Sequence, residues 1–210
     1  MLRRMELDPS KYTYRTYVVS SGDNFSAAKA VEFETGYLDQ RYSTTTKDDT
    51  HGSYAVVTVP RARRVHQSYL TAPFPTLQSF WACLLVLRGL HPDQKSRPLY
   101  LTSPYPDIVL TNGPATAVCV ILAARLLRLY NYLATICGPQ QRSTSSGLTR
   151  SDLQLRTIFV ESWARVTTLS LSGKILLPFA DRFLVQWPDL GGKQMWTGMR
   201  KTEYVGTLVD

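Results

Sequence analysis

The side chains that could do covalent or metal chemistry are scattered through this sequence rather than grouped. His51, His66 and His91 stand in or beside loops, without HExxH or HxH spacing and without a serine–histidine–acid pattern. Cys83, Cys119 and Cys137 lie far apart with no CxxC pair. Neither a zinc site nor a disulfide framework is expected, and a reducing, cytosolic setting fits that usage. No GxGxxG, GxxxxGK or GxSxG segment is present. Carboxylates are scarce in the apolar segments, so general acid–base chemistry lacks candidates. These residue types predict no enzyme, no cofactor and no bound metal.

What remains is charge. The chain of 210 residues carries 24 Lys and Arg against 16 Asp and Glu, a formal +8. Residues 51–151 hold ten of those cations, all arginine but Lys95, and only two acids, Asp93 and Asp107. No acid stands between Asp107 and Asp152. Arginine makes forked contacts to phosphate and stacks on bases, so this block predicts a polyanionic partner, most simply nucleic acid. A membrane surface is not expected, because no segment sets basic residues on one helix face against bulky apolar residues on the other.

The elements that must position these residues follow from apolar spacing and from Pro and Gly punctuation. Residues 12–21 and 54–59 are aromatic and β-branched and read as extended. A helix is predicted over 25–40, capped by Asp23 or Asn24. A buried helix is predicted over 76–90, ending at Gly89. Five prolines make 91–114 a non-helical connector with short extended pieces at 98–102 and 107–111. The clearest helix runs from Pro114 to Cys137, closed by Gly138 and Pro139. It is long enough to cross a bilayer, but Arg125 and Arg128 near its middle argue against that. A polar loop at 138–150 carries Arg142 and Arg150. Another helix is expected over 151–172, with Asp152 in its first turn and Leu155, Ile158, Phe159, Val166 and Leu169 as its apolar stripe. The chain shows no internal repeat and no N-terminal run with the apolar length of a signal peptide.

One segment carries a resemblance. Phe179 is followed by an apolar Val185 at plus six and Trp187 at plus eight. This is similar to the C-terminal core motif of coat proteins from rod-shaped plant RNA viruses, the tobamovirus-like family. Tyr105-Pro106-Asp107 before a long helix, the polar loop after it, and Arg150 with Asp152 opening the next helix keep that family's order. Ala180 stands where the family has Glu, and Leu176 where it has Arg. The resemblance implies a mainly α fold, with a four-helix bundle built from 25–40, 76–90, 114–137 and 151–172. Residues 1–75 would form an N-terminal arm with short strands, 76–190 the bundle core and 191–210 a tail. It implies a structural capsid protein that self-assembles, in many copies, into helical particles around single-stranded RNA, in the virion and the host cytoplasm. Arg150, Arg142, Arg125 and Arg128 would bind RNA, with Asp152 orienting Arg150, while Phe179, Val185 and Trp187 would be core. The alternatives are a viral matrix protein, a more β-rich icosahedral coat protein, or a cellular RNA-binding module.

Overall fold

The computed structural model describes residues 7–8, 11–38, 54–63, 72–94, 101, 103, 105–113, 115–137 and 154–208. The chain divides into two compact units, residues 1–101 with 207–210, and residues 102–206.

In the first unit β1 (Arg15–Ser20) and β2 (Tyr54–Val59) pair in parallel, with Arg15 opposite Tyr54 and Ser20 opposite Val59. A parallel pair needs a crossover, and this one contains a helix. The crossover includes α1 (Asn24–Glu32), which runs on into a π-helical turn over Phe33–Leu38. Asp23 caps α1 by accepting from the Ser26 amide at 3.0 Å. Next comes α2 (Pro73–Leu87), with proline in its first turn. Its Ala82 and Val86 pack on Val57 and Val59 of β2.

The second unit is a four-stranded, all-parallel sheet in the order β3 (Ile108–Asn112), β4 (Arg156–Val160), β5 (Arg182–Val185), β6 (Glu203–Tyr204). Between β3 and β4 runs α3 (Ala115–Cys137), and between β4 and β5 the short α4 (Leu171–Leu176). Ala117 and Ile121 of α3 meet Phe159, Leu176, Phe183 and Val185 in one core. The Phe159 and Phe183 rings lie 4.9 Å apart and tilted by 48°.

The expected four-helix bundle is therefore corrected to an α/β fold with parallel sheets. The residues predicted as its last helix, 151–172, contain β4 and an irregular stretch instead. Thr157, Phe159 and Val160 are all buried, so β4 is covered on both faces. A strand of that kind is a continuous apolar run, which spacing alone does not separate from a buried helix. Three β-branched residues among Arg156–Val160 favour the strand.

Phe159→Ala should remove about 3–5 kcal/mol from the second unit, the range for truncating a buried aromatic side chain. Urea unfolding of the purified protein measures it, and a loss below about 1 kcal/mol would contradict this packing.

Candidate functional site

Arg125 and Arg128 both reach Asp181. Asp181 accepts from Arg125 Nη2 at 2.9 Å, Arg128 Nη1 at 2.7 Å and Arg200 Nη1 at 3.2 Å. It also accepts from the Thr157 amide at 2.9 Å and the Thr157 hydroxyl at 3.0 Å. Arg125 Nε donates to the Phe179 carbonyl, and Arg200 donates to the Asp181 carbonyl. Burial raises the Asp181 carboxyl's pKa, but the Thr157 and arginine donors outweigh it and hold the group at about 2. This cluster ties α3, β4, the start of β5 and the 200s together at the amino edge of the sheet. The two arginines are thus engaged with a carboxylate of their own chain. Arg142, Arg150 and Asp152 lie outside the described residues. Phe179 is half-exposed in the turn after α4, Val185 is buried in β5, and Trp187 packs at the margin of the core.

Parallel α/β sheets bind ligands beyond the carboxyl ends of their strands. At that edge Glu161 follows β4 directly, and its side chain is buried. One carboxylate oxygen accepts from the Ser162 amide at 2.9 Å; the other accepts from the Ser170 amide at 3.0 Å and the Ser170 hydroxyl at 3.1 Å. Ser170 in turn caps α4 through the Gly173 amide at 2.9 Å. A Cβ on Gly173 would stand 2.2 Å from Glu161 Oε2, so only glycine admits this approach. Gln186, after β5, donates to the Glu161 carbonyl at 2.9 Å. Trp163 and Trp187 lie beside them, with ring centroids 5.7 Å apart.

The amino-acid sequence carried a signal for this edge that the helical reading passed over. TIFVE is a β-branched apolar run ending in an acid, the pattern of a buried strand that delivers a carboxylate to its carboxyl end.

In the first unit the turn from β1 into α1 is occupied by its own acid, since Asp23 takes both the amide and the hydroxyl of Ser26. Glu34, buried, accepts from Arg15 Nε at 2.7 Å and the Tyr17 hydroxyl at 2.6 Å. Burial, then the bond to Glu34, pushes the Tyr17 hydroxyl's pKa up. His91 Nδ1 is 3.8 Å from Asp93, which accepts from the Thr58 amide. His51 and His66 lie outside the described residues, and among the described residues no group of His, Cys, Asp and Glu could hold a metal.

A family model described as "Oligosaccharide biosynthesis protein Alg14 like" matches residues 1–208. The chain is 67% identical to the UDP-N-acetylglucosamine transferase subunit alg14 of Aspergillus fumigatus, over 100% of this chain and 99% of that protein. It is 36% identical to the subunit of the same description in Schizosaccharomyces pombe, over 96% of this chain and 73% of that one. Against the human subunit it is 31% identical, over 100% of this chain and 76% of the relative. No solved structure matches the chain. These findings overturn the coat-protein reading, and with it the helical capsid, the single-stranded RNA, the self-assembly into rods and the virion location. The matrix-protein, icosahedral-coat and cellular RNA-binding alternatives fall with it. The expectation of no enzyme narrows too, because each of these relatives is described as a subunit of a transferase. Short motifs misled because Phe179, Val185 and Trp187 keep the coat-protein spacing across a turn and a strand, not within a helical bundle.

Asp181→Asn should destabilise the protein by about 2 kcal/mol or more, since three guanidinium groups lose their shared counter-charge. The Asp181 carboxyl lies below its ordinary value, so its stabilisation is complete above about pH 4 and is lost as pH falls toward 2. Urea unfolding at pH 7, 4 and 3 should therefore show wild type and variant converging in acid. A constant gap across that range would contradict the ion-pair origin.

Proposed function

The chain belongs to the Alg14 family, and from that premise we propose that it is a subunit of a UDP-N-acetylglucosamine transferase acting in oligosaccharide biosynthesis. The observation that carries the reading is the 67% identity, over the whole chain, to a protein of that description. Transfer from UDP-N-acetylglucosamine joins an acceptor oxygen to C1 of the sugar, breaks the bond from C1 to the diphosphate, and releases UDP and a proton. Such a reaction needs the acceptor oriented and the leaving diphosphate stabilised.

The carboxyl edge of the second unit supports the first task. Glu161, the buried acid there, gives its oxygens to three neutral donors that hold the loop 161–170. That is a positioning role rather than a general base's. The relatives are described as subunits, which implies a further chain to share the second task. Transferase activity is then a property of the assembled pair.

The distal part of α3 supports work at a membrane surface. By length and composition, residues 115–136 of α3 could cross a bilayer. The proximal half is committed elsewhere, with Ile121 in the sheet core and Arg125 and Arg128 on Asp181. Beyond Arg128, Leu129, Tyr130, Tyr132, Leu133 and Ile136 are exposed. The span 129–136 extends about 12 Å, somewhat under half the hydrocarbon thickness of about 30 Å, which suits insertion into one leaflet.

Alone, the purified protein should transfer no sugar; co-expressed with the catalytic partner of its own organism it should co-purify and transfer N-acetylglucosamine from UDP-N-acetylglucosamine. An inactive co-purified pair would overturn the reading. Leu129→Glu with Leu133→Glu should release the protein from co-sedimenting lipid vesicles while leaving its thermal unfolding within a few degrees; undiminished sedimentation would remove the membrane role of α3.

A further inference from the structure

Two indole rings meet at the carboxyl edge of the second sheet. Trp163 follows β4 by three residues, and Trp187 follows β5 by two. Their planes are tilted by 39°, and the Trp187 indole N–H donates to the Trp163 carbonyl at 2.7 Å. Trp187 is partly buried against the core, whereas Trp163 is 47% exposed. Trp163 thus keeps about half of a large, flat apolar ring open to solvent while its edge is fixed against Trp187.

The loop that presents Trp163 is held at both ends and in between. Glu161 grips the Ser162 amide at one end and Ser170 at the other. The Arg165 amide donates to the Ser162 carbonyl, and Lys193 Nζ donates to the Thr167 carbonyl at 2.8 Å. An exposed side chain on a pinned loop loses little conformational freedom when it binds. On the same loop Ser162, Ala164, Arg165, Val166, Thr167 and Thr168 are also exposed. A flat aromatic face on a loop that also carries hydroxyls and a guanidinium is suited to a ligand that is apolar on one face and polar at its edge.

We propose that Trp163, backed by Trp187, is the stacking platform for the pyranose ring of an N-acetylglucosamine unit. The inference rests on the transferase reading for the identity of the sugar. A pyranose directs a patch of C–H bonds to one face, and their partial positive charge suits the negative face of an indole ring. Its hydroxyls point outward, and the same loop exposes the polar side chains of Ser162 and Arg165. The position is the one where parallel sheets receive small ligands, beyond the ends of adjacent strands.

Saturation-transfer NMR on the full chain tests this with N-acetylglucosamine, its β-1,4-linked disaccharide and UDP-N-acetylglucosamine as separate ligands. Contact is expected on the C–H face of the ring. Trp163→Ala should weaken binding about tenfold, in the range for one lost stacking contact, and Trp163→Phe should restore part of it. Trp81→Ala, at an exposed tryptophan of the first unit, should change nothing. Binding of the free sugars would mark the acceptor's sugar as occupant, and binding of the nucleotide sugar alone would mark the donor's. No saturable contact with any of the three, or equal losses in Trp163→Ala and Trp81→Ala, would overturn the platform. In the active co-purified pair, Trp163→Ala should raise KM more than it lowers kcat. An active pair in which neither changes would overturn the platform while leaving the transferase reading intact. An inactive wild-type pair would remove that reading, and the NMR titration would still decide whether Trp163 binds the sugar.

Discussion

A single carboxylate organises the second unit. Asp181 precedes β5 by one residue and gathers donors from a helix more than fifty residues upstream, from the neighbouring strand and from the segment ahead of β6. A largely buried acid is tolerable only when its oxygens are fully engaged, and here three guanidinium groups and both polar groups of Thr157 engage them. Crowding of the cations shows in Arg125, whose pKa is lowered by burial and further by Arg128 and Arg200, against the pull of Asp181. The arrangement fixes the roll of α3 on the sheet. Arg125 and Arg128, three residues apart, must face the same strand end, and Ala117 and Ile121 are thereby turned into the core.

The two acids at opposite ends of the strands make a contrast. Asp181, at the amino edge, is saturated by cations and serves the fold. Glu161, at the carboxyl edge, is saturated by amides and a hydroxyl and serves a loop. Cationic partners around Glu161 would have pulled charged side chains into the loop and filled the space above the strand ends. Neutral donors hold the same backbone and leave that space to the indoles and to whatever docks there. Stability and recognition are thus assigned to different edges of one sheet, and substitutions at one need not disturb the other.

Several elements were legible in the sequence because their signals are local. Tyr54–Val59 reads as a strand from its β-branched run, and Ala115–Cys137 as a helix from its three- and four-residue spacing between Pro114 and Gly138. The failures were long-range. The run 107–151 holds no acid after Asp107, and counting along the chain made its arginines look uncompensated. The counter-charge of Arg125 and Arg128 comes from Asp181, 56 residues beyond Arg125, and Asp181 is held there by Thr157 of a strand that the spacing assigns to a helix. With 151–172 taken as a helix, Glu161 marks no strand end, and the carboxyl edge of the sheet has no signal left to announce it. The coat-protein likeness filled that gap with motifs of two or three residues each, which an unrelated fold can reproduce at similar spacing.

The same arginines decide what α3 can be. Read as a sequence, they argue against a bilayer span through the expense of charge in hydrocarbon, a matter of about 2.5–3.5 kcal/mol apiece. The structure supplies a stronger reason. Removing α3 into lipid would strip Ile121 from the core and leave Asp181 buried without two of its cations, so the span competes with the fold itself. Only the part beyond Arg128 is free of that commitment, and that part is apolar on several faces and carries two exposed tyrosines. A helix whose first half is a structural strut and whose second half is bare is poorly explained as an isolated soluble element, because water gains nothing from the exposed leucines. It is well explained as a strut that holds a short apolar tip against a membrane, with the ion-pair cluster setting how far the tip can reach.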